Sequence, residues 1–155
     1  MSDDYTYTRD ELAKLIIARH FPEKTDQEFE LLLNYLERHA DEFEKFSFSV
    51  RIGAGVDTDP AHLPAVQAAL ARSTMKRIDF VGWFGNQATL VEAKTTLSHQ
   101  VLGQLLSDRA LWVQQYADGP EPRLVAIGRR GTPQDLEILS SHGIDTYIYE
   151  TANVS

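Results

Sequence analysis

The 155-residue chain contains no cysteine, which excludes disulfides, zinc–thiolate sites and thiol nucleophiles and leaves an extracellular, cross-linked scaffold without support. It also has no apolar run of about 18 residues and no charged-then-apolar leader, so a soluble, cytoplasmic protein without membrane contact is expected. Basic residues are in short supply. The 15 lysines and arginines against 23 aspartates and glutamates give a net charge of −8, which argues against a protein that coats nucleic acid with its whole surface. The five histidines, His20, His39, His62, His99 and His142, have neither HxH nor HExxH spacing, so none is assigned to a metal. Gly53-Ala54-Gly55 lacks the rest of a dinucleotide fingerprint and reads as a turn.

The hydrophobic content of 43% supports one folded unit with a real core, taken as a single domain over residues 1–155. Charge is unevenly spread. Residues 1–60 carry 14 acids and 7 bases, a balance of −7, whereas residues 72–130 carry 8 bases and 5 acids, a balance of +3. The acidic surplus is therefore local to the N-terminal part.

Thr8-Arg9-Asp10-Glu11 and Thr25-Asp26-Gln27-Glu28 have the spacing of capping boxes, and helices over 9–20 and 26–45 follow them. The second carries an apolar stripe of Phe29, Leu32, Leu33, Leu36, Ala40 and Phe43 at helical period, flanked by Glu30 and Glu37. A strand is predicted from Phe46 to Ile52, a loop over 53–64 and a short helix over 65–73. Ser98 caps a helix over 99–117; residues 122–128 read as a buried strand. Thr132-Pro133 opens a helix ending at Gly143, and residues 144–150 form a last strand, parallel to the preceding one. The order predicts a mixed sheet with helices on both faces.

"RIDFVGWFGNQATLVEAK", from Arg77 to Lys94, reads as a hairpin turning at Gly85-Asn86, because glycine at the first central position accepts a positive φ. If Phe84 pairs with Gln87, Asp79 stands opposite Glu92 on one face, and Arg77 opposite Lys94. Opposed like charges are destabilising, so neutralising Asp79 is expected to stabilise the metal-free chain. A divalent cation explains the arrangement: Mg²⁺ is held by one or two carboxylates, with water and substrate phosphate completing its shell. Lys94, one step along the strand, is placed to orient water or offset charge on a reacting phosphate.

Asp79, then Glu92-Ala93-Lys94, on a hairpin followed by a helix containing Gln104, resembles the PD-(D/E)XK nuclease superfamily. The resemblance implies the restriction-endonuclease-like α/β fold: an αβββαβ core, here about residues 26–128, with a mixed central sheet flanked by helices. The helix at 9–20 precedes this core and an extra C-terminal αβ unit at 133–150 follows it. It further implies that Asp79, Glu92 and the Ala93 carbonyl bind Mg²⁺ or Mn²⁺, that Lys94 is the catalytic lysine, and that Gln104 supports the site. Ile78 stands where the superfamily's name has proline, and Asp108 stands four residues after Gln104, where a tyrosine is often found. Small members of this fold often pair, so a homodimer is also an expectation of the resemblance.

Many members add an acid from the first core helix, and Glu30 is the candidate here. Lys76 and Arg77, with Arg72, precede the site and are candidates for tracking a nucleic-acid backbone. Arg129 and Arg130 sit at a strand-to-helix turn suited to phosphate, although a solvated turn is the more common explanation of such a pair. Arg109 falls among Val101, Leu102, Leu105, Trp112, Val113 and Tyr116, and is expected to reach the rim of that face. Trp83 and Trp112 read as core or rim residues. The function expected is a Mg²⁺- or Mn²⁺-dependent nuclease acting on DNA rather than RNA. The alternative is a nuclease-like fold kept as a binding or regulatory subunit.

Overall fold

The computed structural model of the chain describes residues 5–53, 61, 63–67 and 75–150. Most of the expected 53–64 loop and residues 68–73 of the expected 65–73 helix, Arg72 among them, lie outside the described residues; residues 64–67 form a helical turn. The elements are β1 (Thr6–Tyr7), α1 (Arg9–Ile17), α2 (Asp26–His39), a 3-10 turn (Ala40–Glu42), β2 (Lys45–Ile52), β3 (Lys76–Phe84) and β4 (Gln87–Ala93). They continue with β5 (Thr96–Leu97), α3 (His99–Gln115), β6 (Arg123–Gly128), β7 (Arg130–Gly131), α4 (Pro133–Ser141) and β8 (Ile144–Ile148).

Local chemistry starts each helix. Thr8 and Glu11, and Thr25 and Glu28, form reciprocal capping boxes on α1 and α2. Ser98 caps α3 and Thr132 caps α4, satisfying amides that have no partner within the helix. A six-stranded mixed sheet runs β1-β2-β3-β4-β6-β8. The first three pairings are antiparallel, while β4–β6 and β6–β8 are parallel. A separate two-stranded ladder joins β5 to β7.

Each face of the sheet buries its own apolar cluster. Phe29, Leu32 and Leu36 of α2 pack on Phe46, Phe48, Phe80, Val91 and Ile127. Val101, Leu105 and Trp112 of α3, with Leu139 of α4, pack on Val50, Ile52, Val81, Leu90 and Ala126. Strict alternation puts Phe46, Phe48, Val50 and Ile52 on one side of β2, yet they divide between the two clusters. Ser49 lies at the changeover with φ 52°, and the β2–β3 pairing passes over both it and Asp79 between Phe48–Phe80 and Val50–Ile78. Asp79 thus sits where the sheet changes its side-chain phase.

Candidate active site

The hairpin follows the predicted register from Phe84–Gln87 to Phe80–Val91, with Gly85 at φ 59° in the turn. Among the described residues no further β3–β4 pair forms. On the β3 side the Asp79 carboxylate accepts the Ala93 amide through Oδ2 at 2.9 Å, while on the other edge of β4 the pairing with β6 continues through Glu92–Ala126 and Ala93–Ile127. Arg77 is therefore not paired with Lys94. It pairs with Arg51 of β2 and forms an ion pair with Glu23 at 3.5 Å.

Asp79, Glu92 and Asp108 are 6%, 0% and 1% exposed. Gln104 of α3 donates to Glu92 Oε2 at 3.1 Å, and Asp108 lies one helical turn further along the same face. Lys24, from the α1–α2 connection, donates to Asp79 Oδ1 at 3.0 Å with its side chain wholly buried. Glu92 Oε1 and Asp108 Oδ2 are buried and accept from no amide, hydroxyl or basic group among the described residues, so a carboxyl proton alone can bridge them to a neighbouring acid.

These contacts separate the three acids electrostatically. Burial pushes Glu92 well above the ordinary glutamate range, and the charge of Asp79 and hydrogen bonds with Asp108 and Asp79 add to the rise. Asp108 is raised by burial, against the opposing effects of its hydrogen bond with Glu92 and the charge of Lys76. For Asp79 burial also works upward, but the Lys24 charge and hydrogen bonds from Glu92, Ala93 and Lys24 outweigh it and hold the group low. A raised Glu92 beside a lowered Asp79 fits the rule that close carboxylates resist ionising together.

Lys94 follows β4 directly. Its amide donates to the Ile127 carbonyl at 3.0 Å while its side chain is exposed. The β5–β7 ladder brings Arg129 and Arg130 to the same end of the sheet, both amides bonding to the Thr95 carbonyl at 3.0 and 3.2 Å. Among the described residues, none of Lys94, Arg129 and Arg130 has an ion-pair partner. Lys76 is exposed and acts on Asp108.

Glu30 is placed elsewhere: it forms an exposed ion pair with Arg19. From α2, Gln27 reaches the site's margin instead, accepting from Thr95 Oγ1 at 2.9 Å. Arg109 reaches the rim, 3.9 Å from Glu121, while Val113 is exposed and Asp108 takes the buried position on α3. Sequence reading missed Lys24 and the part played by Asp108. The spacing of four from Gln104 carried the signal for Asp108; Lys24, 55 residues from Asp79, had none.

A divalent cation is what the resemblance implies here. The donor set suits one, since two buried carboxylate oxygens accept from no amide, hydroxyl or basic group among the described residues and hard cations prefer oxygen. Asp79, Glu92 and the Ala93 carbonyl are the groups that would hold it. Against this, Lys24 already balances Asp79, and among the described residues no three Asp, Glu or His side chains stand together in a metal-holding arrangement.

No family model and no curated protein matches the chain. Among solved structures, a repair endonuclease from Pyrococcus abyssi superposes with a TM-score of 0.50 at 16% identity, over 86% of this chain and 50% of that one. An EndoMS–dsDNA2 complex gives a TM-score of 0.45 at 13% identity, over 86% of this chain and 49% of that one. The chain spans about half the length of each. The first likeness is one of fold: a nuclease-like mixed sheet flanked by helices.

Proposed function

We propose that the protein is a Mg²⁺- or Mn²⁺-dependent nuclease that hydrolyses phosphodiester bonds in DNA. The observation that carries this is the buried Asp79–Glu92 pair at the end of β3 and β4, with Lys94 emerging into solvent two residues beyond Glu92. The fold shared with a repair endonuclease supports it. When bound, the cation would supply Lewis-acid polarisation of a phosphoryl oxygen and a more acidic water. Asp79 and Glu92 would hold it, and Gln104 fixes Glu92 by donating to its second oxygen. Lys94 would meet the attacking water or the phosphate oxygen, and Arg129 and Arg130 the neighbouring backbone phosphates. One P–O bond forms to water as the bond to the leaving oxygen breaks, and the leaving oxygen takes up a proton. The deciding experiment compares metal-dependent cleavage of plasmid DNA by wild type, Lys94→Ala and Glu92→Ala at matched purity. Equal cleavage by all three removes this site from the activity.

A second reading has its own observation. The Lys24 ion pair neutralises Asp79 without metal, as a nuclease-like fold kept as a binding or regulatory subunit requires. Failure of wild type to cleave single- or double-stranded DNA or RNA with Mg²⁺ or Mn²⁺ favours that reading.

A further inference from the structure

We propose that Lys24 is a tethered cation occupying the Asp79 side of the carboxylate cluster, and that a divalent cation binding Asp79 must displace it and release the loop that carries it. The inference rests on the reading of Asp79 and Glu92 as a metal centre, and it adds a control on that centre from a residue outside the hairpin.

Fully buried lysines are rare, and this one is delivered by a loop with several anchors. Ser49 donates through Oγ to the Pro22 carbonyl at 2.9 Å. Arg51 makes two hydrogen bonds to Glu23, at 3.1 and 2.8 Å, and Arg77 adds an ion pair to the same carboxylate at 3.5 Å. The Lys24 amide closes the turn onto the Phe21 carbonyl at 3.3 Å. Glu23 and Ser49 both have left-handed backbones, at φ 57° and 52°, which non-glycine residues adopt uncommonly. Ser49 and Asp79 are the residues that the β2–β3 pairing passes over between Phe48–Phe80 and Val50–Ile78. Strain and anchoring therefore converge on the segment that sets the ammonium against Asp79.

The occupancy has a direct consequence. Asp79 Oδ1 is held by Lys24 and Oδ2 by the Ala93 amide, so an arriving cation meets a positive charge at the first oxygen. Lysine is a compact point charge on a flexible four-carbon stem, and withdrawal of that stem frees the oxygen. The apparent affinity for metal is then reduced by the fraction of molecules in which Lys24 is withdrawn. A divalent cation that binds the cluster takes over the charge balance and leaves the loop without its innermost contact.

The test titrates Mn²⁺ calorimetrically into the full chain, without nucleic acid, for wild type, Lys24→Met and Lys24→Gln. Both variants lack the charge, and each is expected to bind Mn²⁺ at least about tenfold more tightly than wild type, a change of about 1.4 kcal/mol. In wild type, saturating Mn²⁺ is expected to accelerate hydrogen exchange at the Lys24 amide, a measurement that needs no variant to fold. Equal or weaker Mn²⁺ binding by the variants overturns the inference, as does unchanged exchange at saturation. Metal-dependent cleavage by wild type alongside unchanged affinity in both variants overturns the inference alone. Tighter binding by the variants with no cleavage by any protein supports the inference and overturns the nuclease reading. Absence of Mn²⁺ binding by all three overturns both.

Discussion

At Lys94 the main chain is still tied to β6 through the Ile127 carbonyl while the ammonium stands in solvent. A substitution there alters the charge presented to substrate and leaves the sheet intact. Lys94→Ala is therefore expected to lower cleavage by on the order of 10²–10³, with melting temperature and Mn²⁺ affinity little changed. Lys94→Arg is expected to rescue poorly, because a planar fork does not replace a compact ammonium; single-turnover rates on plasmid check both. Glu92 has the opposite character, buried and with its proton affinity raised well above that of an ordinary glutamate. Its folded-state affinity for the proton exceeds that of the unfolded chain, so between the ordinary glutamate range and its raised value the native state binds more protons and stability falls as pH rises. Asp79, held low, contributes stability that is lost as pH falls through its depressed value. Glu92→Gln removes the first effect. Its stability relative to wild type, measured by urea unfolding with EDTA, is expected to increase with pH above the carboxylate range; a constant difference would show that Glu92 is ordinary.

Among the elements, α3 carries two chemistries on one face. Gln104, Asp108, Trp112 and Tyr116 recur every four residues, so the same stripe supports the acidic cluster at one end and stacks aromatics at the other. The Trp112 ring lies 5.3 Å from Trp83 and 4.3 Å from Tyr116, centroid to centroid. That packing fixes the helix against the hairpin and so fixes Gln104 against Glu92. The junction of β6 with the β4–β5 link is equally close. A Cβ added at Gly128 would lie 2.6 Å from the Lys94 carbonyl oxygen and 2.9 Å from Leu97 Cγ. Gly128→Ala is expected to destabilise by about 1–3 kcal/mol and, by pushing the backbone of Lys94, to lower cleavage beyond what the loss of folded protein explains. Urea unfolding paired with rates per folded molecule separates the two effects. Arg129 and Arg130, held at this junction by the Thr95 carbonyl, are expected to meet phosphates. Replacing both with alanine should reduce the slope of log affinity against log salt by up to about 1.8 on duplex DNA, and an unchanged slope would leave them as solvated turn residues.

For the whole molecule, the acidic total of −8 coexists with a small end of the sheet where Lys94, Arg129 and Arg130 lack ion-pair partners among the described residues. Nucleic-acid affinity is thus expected to be modest and salt-sensitive. Metal binding reaches the global equilibrium as well. A ligand that binds only the native state adds about 2.7 kcal/mol at one hundred times Kd, so Mn²⁺ is expected to raise the melting temperature of wild type, and Asp79→Asn to lose that rise. Without metal, Lys24 reverses the expectation that neutralising Asp79 stabilises the chain. Asp79→Asn leaves a buried ammonium unpaired, a change that typically costs about 3–5 kcal/mol, and thermal unfolding in EDTA is expected to show a loss.

What could be read from the sequence was set by short-range chemistry. Capping boxes at Thr8 and Thr25 started two helices, Gly85 fixed the hairpin turn, and the register carried the two acids near each other although pairing itself stops at Phe80–Val91, one step short of Asp79 and Glu92. The spacing of Gln104 from the helix cap carried it to Glu92 in the same way. The tertiary structure alone decided where those patterns stop. Continued pairing would have joined Arg77 to Lys94, but on the β3 side the Asp79 side chain takes the Ala93 amide. Glu30, plausible from its place on α2, faces Arg19 because burial of Phe29 and Leu32 fixes the helix's rotation. Lys24 meets Asp79 through the strained turn at Glu23 and the phase change at Ser49. A contact between residues 55 apart depends on how the loop and the sheet end are brought together, and no local periodicity encodes it.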